Sequence, residues 1–236
     1  MSGHSKWSTI KRAKGVTDIK RGQTFTKLAN VVTIAVRLGT SGDPDSNPRL
    51  RMAIDEARSV NMPKENIQRA IDRGLGKIEG NSLEEVLYEG FGPGKVAIIV
   101  EGVTDNKMRT TQEIKNIFDK SGGSMAGQGA VSYMFERIGE IRVKSKGGSS
   151  EEEMLQLIDL GAKDIQGYLV YTEVTNLVDM GNKITQAGYG VESQELIYKP
   201  FVLVDIEDEE DAKAVLDFIE KIEELDDIQK VWSNLK

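Results

Sequence analysis

There is no cysteine in this 236-residue chain, and only one histidine, His4. Without thiols there can be no disulfide framework, no Cys/His zinc site, no iron–sulfur cluster and no cysteine nucleophile. A chain so free of cysteine suits a reducing, cytoplasm-like compartment. Long apolar runs are missing too. The longest, KVAIIVEGV at 95–103, is far short of the roughly 20 residues that span a bilayer. The positive charge at the N-terminus is followed by neither an apolar h-region nor a long Arg/Ser-rich amphipathic run, so no leader is expected and no membrane partner. His4 has no nucleophile or carboxylate arranged around it in the sequence, which leaves general-base catalysis unsupported. The expectation is a cytoplasmic, non-enzymatic protein with no cofactor and no metal.

What is present is charge, unevenly placed. Hydrophobic residues make up 39% and charged residues 29% of the chain, the composition of a globular protein. The net charge is -7, yet residues 1–77 hold 15 Lys/Arg against 7 Asp/Glu, a net of +8. The remaining 159 residues hold 16 against 31, a net of -15. Salt at physiological strength screens charge over about 8 Å, so the acidic part does not cancel the field of a basic part further away. Polyanions are therefore expected to meet a local positive surface.

The basic segment reads as three helices behind an arm. Phe25, Leu28, Val32 and Ala35 recur at spacings of three and four, the mark of one buried stripe. A second set, Leu50, Ile54, Ala57 and Val60, begins just after Pro48, which suits a first helical turn. A third short helix carries Ile67, Ala70 and Ile71 between Pro63 and Gly74. Basic side chains fall off each apolar stripe: Lys20 and Lys27 are seven residues apart, as are Arg51 and Arg58, while Arg69 and Arg73 are one turn apart.

The acidic remainder alternates strands and helices. After the boundary GLGKIEGNS come two strands around GPGK, a helix on TDNKMRTTQEIKNIFDKSGG with Thr104 as N-cap, and a strand on AVSYMFE. Residues 138–198 then run β-α-β-β-α-β, the order of a ferredoxin-like plait. A strand on FVLVDI, a helix on EDEEDAKAVLDFIEKIEE and a strand on QKVWSNL close the chain. The expected fold is α+β and multidomain: a three-helix bundle over 1–77, then two ferredoxin-like α/β plaits, one made of 78–137 plus 199–236 and the other, over 138–198, inserted into it.

Several motifs suggest chemistry without the residues to perform it. GFGPGK resembles part of a P-loop, but Glu89 stands where the first glycine is needed and Val96 where magnesium requires a hydroxyl, so a turn is expected. SGGSMAGQGA could offer backbone N–H groups to a phosphate, though glycine-dependent turns between helix and strand account for it. The run DIEDEED reads as acids in a first helical turn, where the helix dipole favours them. The arm is different, because two features coincide there. Lys6, Lys11, Arg12, Lys14, Lys20 and Arg21 can meet phosphates, and Trp7 offers a face on which a base can stack. Lys27, Arg51, Arg58, Arg69 and Arg73 extend the candidate surface onto the bundle.

The stretches Gly3-His4-Ser5-Lys6-Trp7, Asp18-x-Lys20-Arg21-Gly22 with Phe25-Thr26-Lys27-Leu28, and Met62-Pro63-Lys64-Glu65-Asn66-Ile67 resemble the YebC/PmpR family. So do Tyr88-Glu89-Gly90 and Thr104-Asp105-Asn106-Lys107 with Arg109-Thr110, and the resemblance covers the whole chain. It implies a helical N-terminal domain, two α/β domains, and a DNA-binding transcriptional regulator or a ribosome-associated translation factor; mitochondrial relatives are translational activators. The family often carries a basic residue where Gln23 stands, so no phosphate contact is carried over there. The expected partner is nucleic acid, either DNA or ribosomal RNA, with the large ribosomal subunit as its most concrete form. An arm with a stacking aromatic suits unpaired RNA better than duplex DNA. Two other classes stay open: a small-molecule site in the tandem plaits, and a protein-interaction module docking basic surfaces.

Overall fold

The computed structural model describes residues 18–80, 82–147 and 150–236. The first helix, α1 (Asp18–Gly39), buries Leu28, Val32, Ala35 and Val36 against α2 (Pro48–Ser59) and α3 (Lys64–Gly74). Leu50, Ala53, Ile54 and Ala57 of α2 and Ile67, Ala70 and Ile71 of α3 fill the same core. Two polar groups fix the joints. Asn47, 3% exposed, caps α2 by accepting the Leu50 N–H at 3.0 Å, and its amide donates to Ala35 O at 2.9 Å and Ser41 O at 3.1 Å. Thr33 Oγ1 donates across to Ala70 O at 3.1 Å. Gly74 is required where α3 crosses α1: a Cβ there would lie 2.6 Å from that of Val36.

Beyond the bundle the chain forms an α+β arrangement with two four-stranded antiparallel sheets. The first contains β1 (Glu84–Phe91), β2 (Ala97–Thr104), β3 (Ser124–Ala126) and β8 (Ile228–Ser233) in the order β3-β1-β2-β8. Between β2 and β3 runs α4 (Lys107–Lys120), stepping over β1; α7 (Glu209–Glu223) precedes β8. Ile98, Val100, Ile114, Phe118, Phe218 and Ile222 belong to its core, with Phe118 and Phe218 edge-to-face at 4.9 Å between centroids, a favoured aromatic geometry. The second sheet contains β4 (Phe135–Lys144), β5 (Asp164–Gln166), β6 (Leu169–Thr172) and β7 (Gly190–Pro200) in the order β5-β6-β4-β7, with α5 (Ser150–Asp159) and α6 (Leu177–Gln186) in the crossovers. That order and connectivity are those of a ferredoxin-like plait. Packing divides the described chain into two compact units, one running to Phe135 and resuming over Pro200–Lys236, the other Glu136–Lys199.

Three local expectations fail. AVSYMFE is not one strand: Ser132–Met134 is a 3₁₀ turn and β4 begins at Phe135, in the other sheet. FVLVDI makes only an isolated bridge, Val204 to Leu235, and the fourth strand of the first sheet is instead the short β3, inside the glycine-rich stretch that reads as a loop. The N-cap of α4 is Asn106, which accepts the Arg109 N–H at 3.1 Å, while Thr104 Oγ1 accepts the Asn106 N–H at 2.9 Å. For AVSYMFE the distant partner is Glu89, which holds the Val131 and Ser132 N–H groups, and for Thr104 it is Asp227, to which the hydroxyl donates.

Candidate nucleic-acid interface

Lys6, Trp7, Lys11, Arg12 and Lys14 lie outside the described residues. Lys20 falls in the first turn of α1. Arg21, one residue on, is exposed, with its guanidinium 5.5 Å from the centre of the Phe25 ring, within cation–π range. Arg58 is 66% exposed and meets Asp55 at 3.4 Å, and Arg69 projects from α3 opposite Ile67, Ala70 and Ile71. An exposed pair such as Arg58–Asp55 contributes about 0–1 kcal/mol, so it leaves the guanidinium open to exchange for a phosphate. Lys64, at the start of α3, is also exposed, although its sequence position does not single it out.

Other candidates turn elsewhere. Lys27 donates its ammonium to the main-chain carbonyl of Glu223, the last residue of α7. A cation there is favoured by the negative end of the helix dipole, and the contact ties the bundle to the first sheet's helical layer. Arg51 folds onto its own loop, with Nε donating to Pro44 O at 3.1 Å and Nη2 meeting Asp45 Oδ1 at 3.2 Å. Arg73 is half-buried, its Nε sealed from solvent without a hydrogen-bond partner. Arg69 and Arg73, one turn apart on α3, therefore divide between solvent and interior.

Arg73 lines a cleft of about 700 Å³ with Gln23 and Asn30 of α1 and with Arg109, Asp226 and Asp227. Here the motif Thr104-Asp105-Asn106-Lys107 with Arg109-Thr110 shows its purpose. Asp227 Oδ2 accepts from Arg109 at 2.6 Å, Thr110 Oγ1 at 2.6 Å and Thr104 Oγ1 at 2.9 Å, and Arg109 also meets Asp105 at 2.9 Å. Hydrogen bonds to Asp227 first, then to Asp105, hold the Arg109 guanidinium above its ordinary pKa. The network pins the start of α4 to the turn before β8. Gln23 lines this cleft, so a basic residue at that position would face acids before it met a phosphate.

The glycine-rich stretch also resolves into structure. Glu89 of β1 is 2% exposed and accepts the N–H groups of Gly129, Val131 and Ser132 at 2.8, 2.8 and 2.9 Å. Burial pushes this carboxyl up, but the three backbone donors outweigh that and hold it below its usual range. The N–H of Gly129 in this stretch, with those of Val131 and Ser132 just beyond it, thus serves an internal carboxylate. GPGK is a tight hairpin connection with Gly94 at φ +64, a conformation glycine adopts readily. Asp208 caps α7 by accepting the Glu210 and Asp211 N–H groups at 2.9 and 3.0 Å, which accounts for the acid run. Neither Glu89 nor Asp227 has a local signal of its role: their partners lie about 40 and 120 residues away.

Comparison with known proteins agrees with this architecture. The profile of the TACO1/YebC protein N-terminal domain matches residues 5–77, and that of the TACO1/YebC second and third domain matches residues 83–235. A protein of Chloroflexus aurantiacus named a probable transcriptional regulatory protein is 51% identical over 241 residues, covering 100% of this chain and 95% of its own. A protein of the same name from Aquifex aeolicus is 43% identical over 240 residues, covering 100% and 96%. The crystal structure of a conserved hypothetical protein from Aquifex aeolicus superposes with a TM-score of 0.84 at 43% identity, covering 93% of this chain and 91% of that one.

Proposed function

The chain belongs to the TACO1/YebC family, and we propose that it is a non-enzymatic, nucleic-acid-binding regulator of gene expression acting in the cytoplasm. The names of its relatives support the regulatory half of this reading. The observation that carries the binding half is the charge division: a net of +8 over residues 1–77 against -15 over the rest, with Arg21, Arg58 and Arg69 exposed on the basic side. Phosphates are gripped by these guanidinium groups and by Lys6, Lys11, Arg12 and Lys14, while Trp7 stacks on a base.

Unpaired RNA, met on the large ribosomal subunit, fits this surface better than duplex DNA. Duplex readout needs an element that presents side chains to base edges in a groove. Helix α3, which carries the exposed Arg69, is only 11 residues long and turns Arg73 inward. A flexible polyanion with splayed bases makes no such demand. The test is sedimentation of cell lysate through a sucrose gradient, comparing wild type with a variant in which Lys6, Lys11, Arg12 and Lys14 are all replaced by Gln. Wild type is expected to travel with large subunits and the variant to stay near the top. Equal migration of both overturns the proposal.

A further inference from the structure

Three large apolar side chains stand out from the surface at one place in the first unit: Tyr133 is 72% exposed, Phe201 66% and Val202 70%. Phe201 N–H donates to Met134 O at 3.0 Å, so the backbone sets Phe201 and Val202 beside Tyr133. Neither strand of this support is left loose. The Glu89 carboxylate holds the N–H of Ser132, the residue before Tyr133, together with those of Gly129 and Val131. A buried charge devoted to fixing a surface loop implies that what the loop presents must be held in place. Exposed aromatics on a pre-ordered backbone are the material of interface anchors, since little freedom disappears when they are covered.

What adjoins the patch decides what covers it. Four residues beyond Phe201 begins Asp205-Ile206-Glu207-Asp208-Glu209-Glu210-Asp211, whose acids are all exposed. Among the described residues this run makes one ion pair, between Asp205 and Lys236 at 2.5 Å. These exposed carboxylates, four to ten residues beyond Phe201, make the local field unfavourable to a phosphate backbone, and the N–H groups of Gly129, Val131 and Ser132 are already taken by Glu89. We propose that Tyr133, Phe201 and Val202, with the acidic run behind them, form a docking surface for a basic peptide segment of a partner protein that carries aromatic or aliphatic anchors. Its anchors cover the patch and its Lys/Arg side chains pair with Glu207, Glu209, Glu210 and Asp211. This surface is separate from the cationic bundle and would let the protein grip a nucleoprotein target through both its components.

The test uses the full chain and fluorescein-labelled twelve-residue peptides of six Lys/Arg, with Phe, Trp or Leu at two central positions or with Ser there. The anchored peptides are expected to bind at least tenfold more tightly than the Ser control. Replacing Tyr133, Phe201 and Val202 together by Ser should remove that advantage, leaving the urea midpoint unchanged because the three side chains are exposed. Glu207→Lys with Glu210→Lys should weaken both peptide classes. Equal binding of anchored and Ser peptides overturns the proposal, as does an anchored peptide indifferent to the triple variant. If unpaired oligouridine binding falls in the triple variant, the surface is a nucleic-acid contact and the assignment to a protein partner fails. If sedimentation equilibrium shows a dimer that the triple variant abolishes, the occupant is a second copy, which equally overturns it.

Discussion

The carboxylate of Glu89 accepts the backbone N–H of Val131 at 2.8 Å, across 42 residues of chain and inside a surface that solvent does not reach. Glu89→Gln removes the charge and turns an amide N–H₂ towards backbone donors. A buried donor left facing donors costs about 1–3 kcal/mol, so the urea midpoint should fall by that amount of stability and amide exchange over residues 127–132 should quicken. Because the folded pKa lies below the ordinary value near 4.5, this stabilisation is complete above the unfolded pKa and disappears as pH falls through the folded one. Wild type should therefore lose more stability than Glu89→Gln when the pH drops from 6 to 3.5. Parallel curves would contradict the assignment.

Asp227 and Thr110 test whether the Arg109 motif is a structural clasp. Thr110→Val should cost about 1–2 kcal/mol and Asp227→Ala more, since the latter removes the acceptor shared by both hydroxyls and the Arg109 guanidinium. A double-mutant cycle should give a coupling of at least about 0.5 kcal/mol. Strict additivity would mean that the 2.6 Å hydrogen bond between Thr110 and Asp227 contributes nothing.

Asn47→Ala should destabilise the bundle by about 1–2 kcal/mol, because it removes both a cap and the amide that ties α2 to the Ala35 carbonyl. Thermal melting followed at 222 nm checks this.

The arginines divide by placement. Replacing exposed Arg21, Arg58 or Arg69 by Gln should weaken nucleic-acid binding and reduce the salt slope by about 0.7–0.9 for each phosphate no longer held. Arg73→Gln, at a side chain turned into the cleft beside Gln23 and Asp227, should alter stability and leave the slope unchanged. A slope change at Arg73 equal to that at Arg69 would place both on one outer face.

Much of this is legible in the sequence where the determinants are local. The stripe from Leu28 to Ala35 marks α1 because one helical face must be apolar, and the β-α-β-β-α-β order of the second unit follows from the alternation of its periods. FVLVDI misleads because its apolar run reports burial potential and says nothing of pairing: its only ladder contact, Val204 with Leu235, depends on the last residues of the chain. Arg69 and Arg73 look equivalent by spacing, yet Arg73 packs beside Gly80, where an added Cβ would come within 3.2 Å of its side chain. The charge division is fully readable, because it needs only a count.

On the proposed reading the basic segment holds phosphates despite the acidic remainder, and the salt dependence of binding tests that most directly. With a twelve-nucleotide unpaired RNA and about five phosphates bound, log affinity should fall against log salt with a slope of roughly -3.5. Replacing Lys6, Lys11, Arg12 and Lys14 by Gln should bring that slope to about -0.7. A wild-type slope near zero, or the same slope in both proteins, would contradict it.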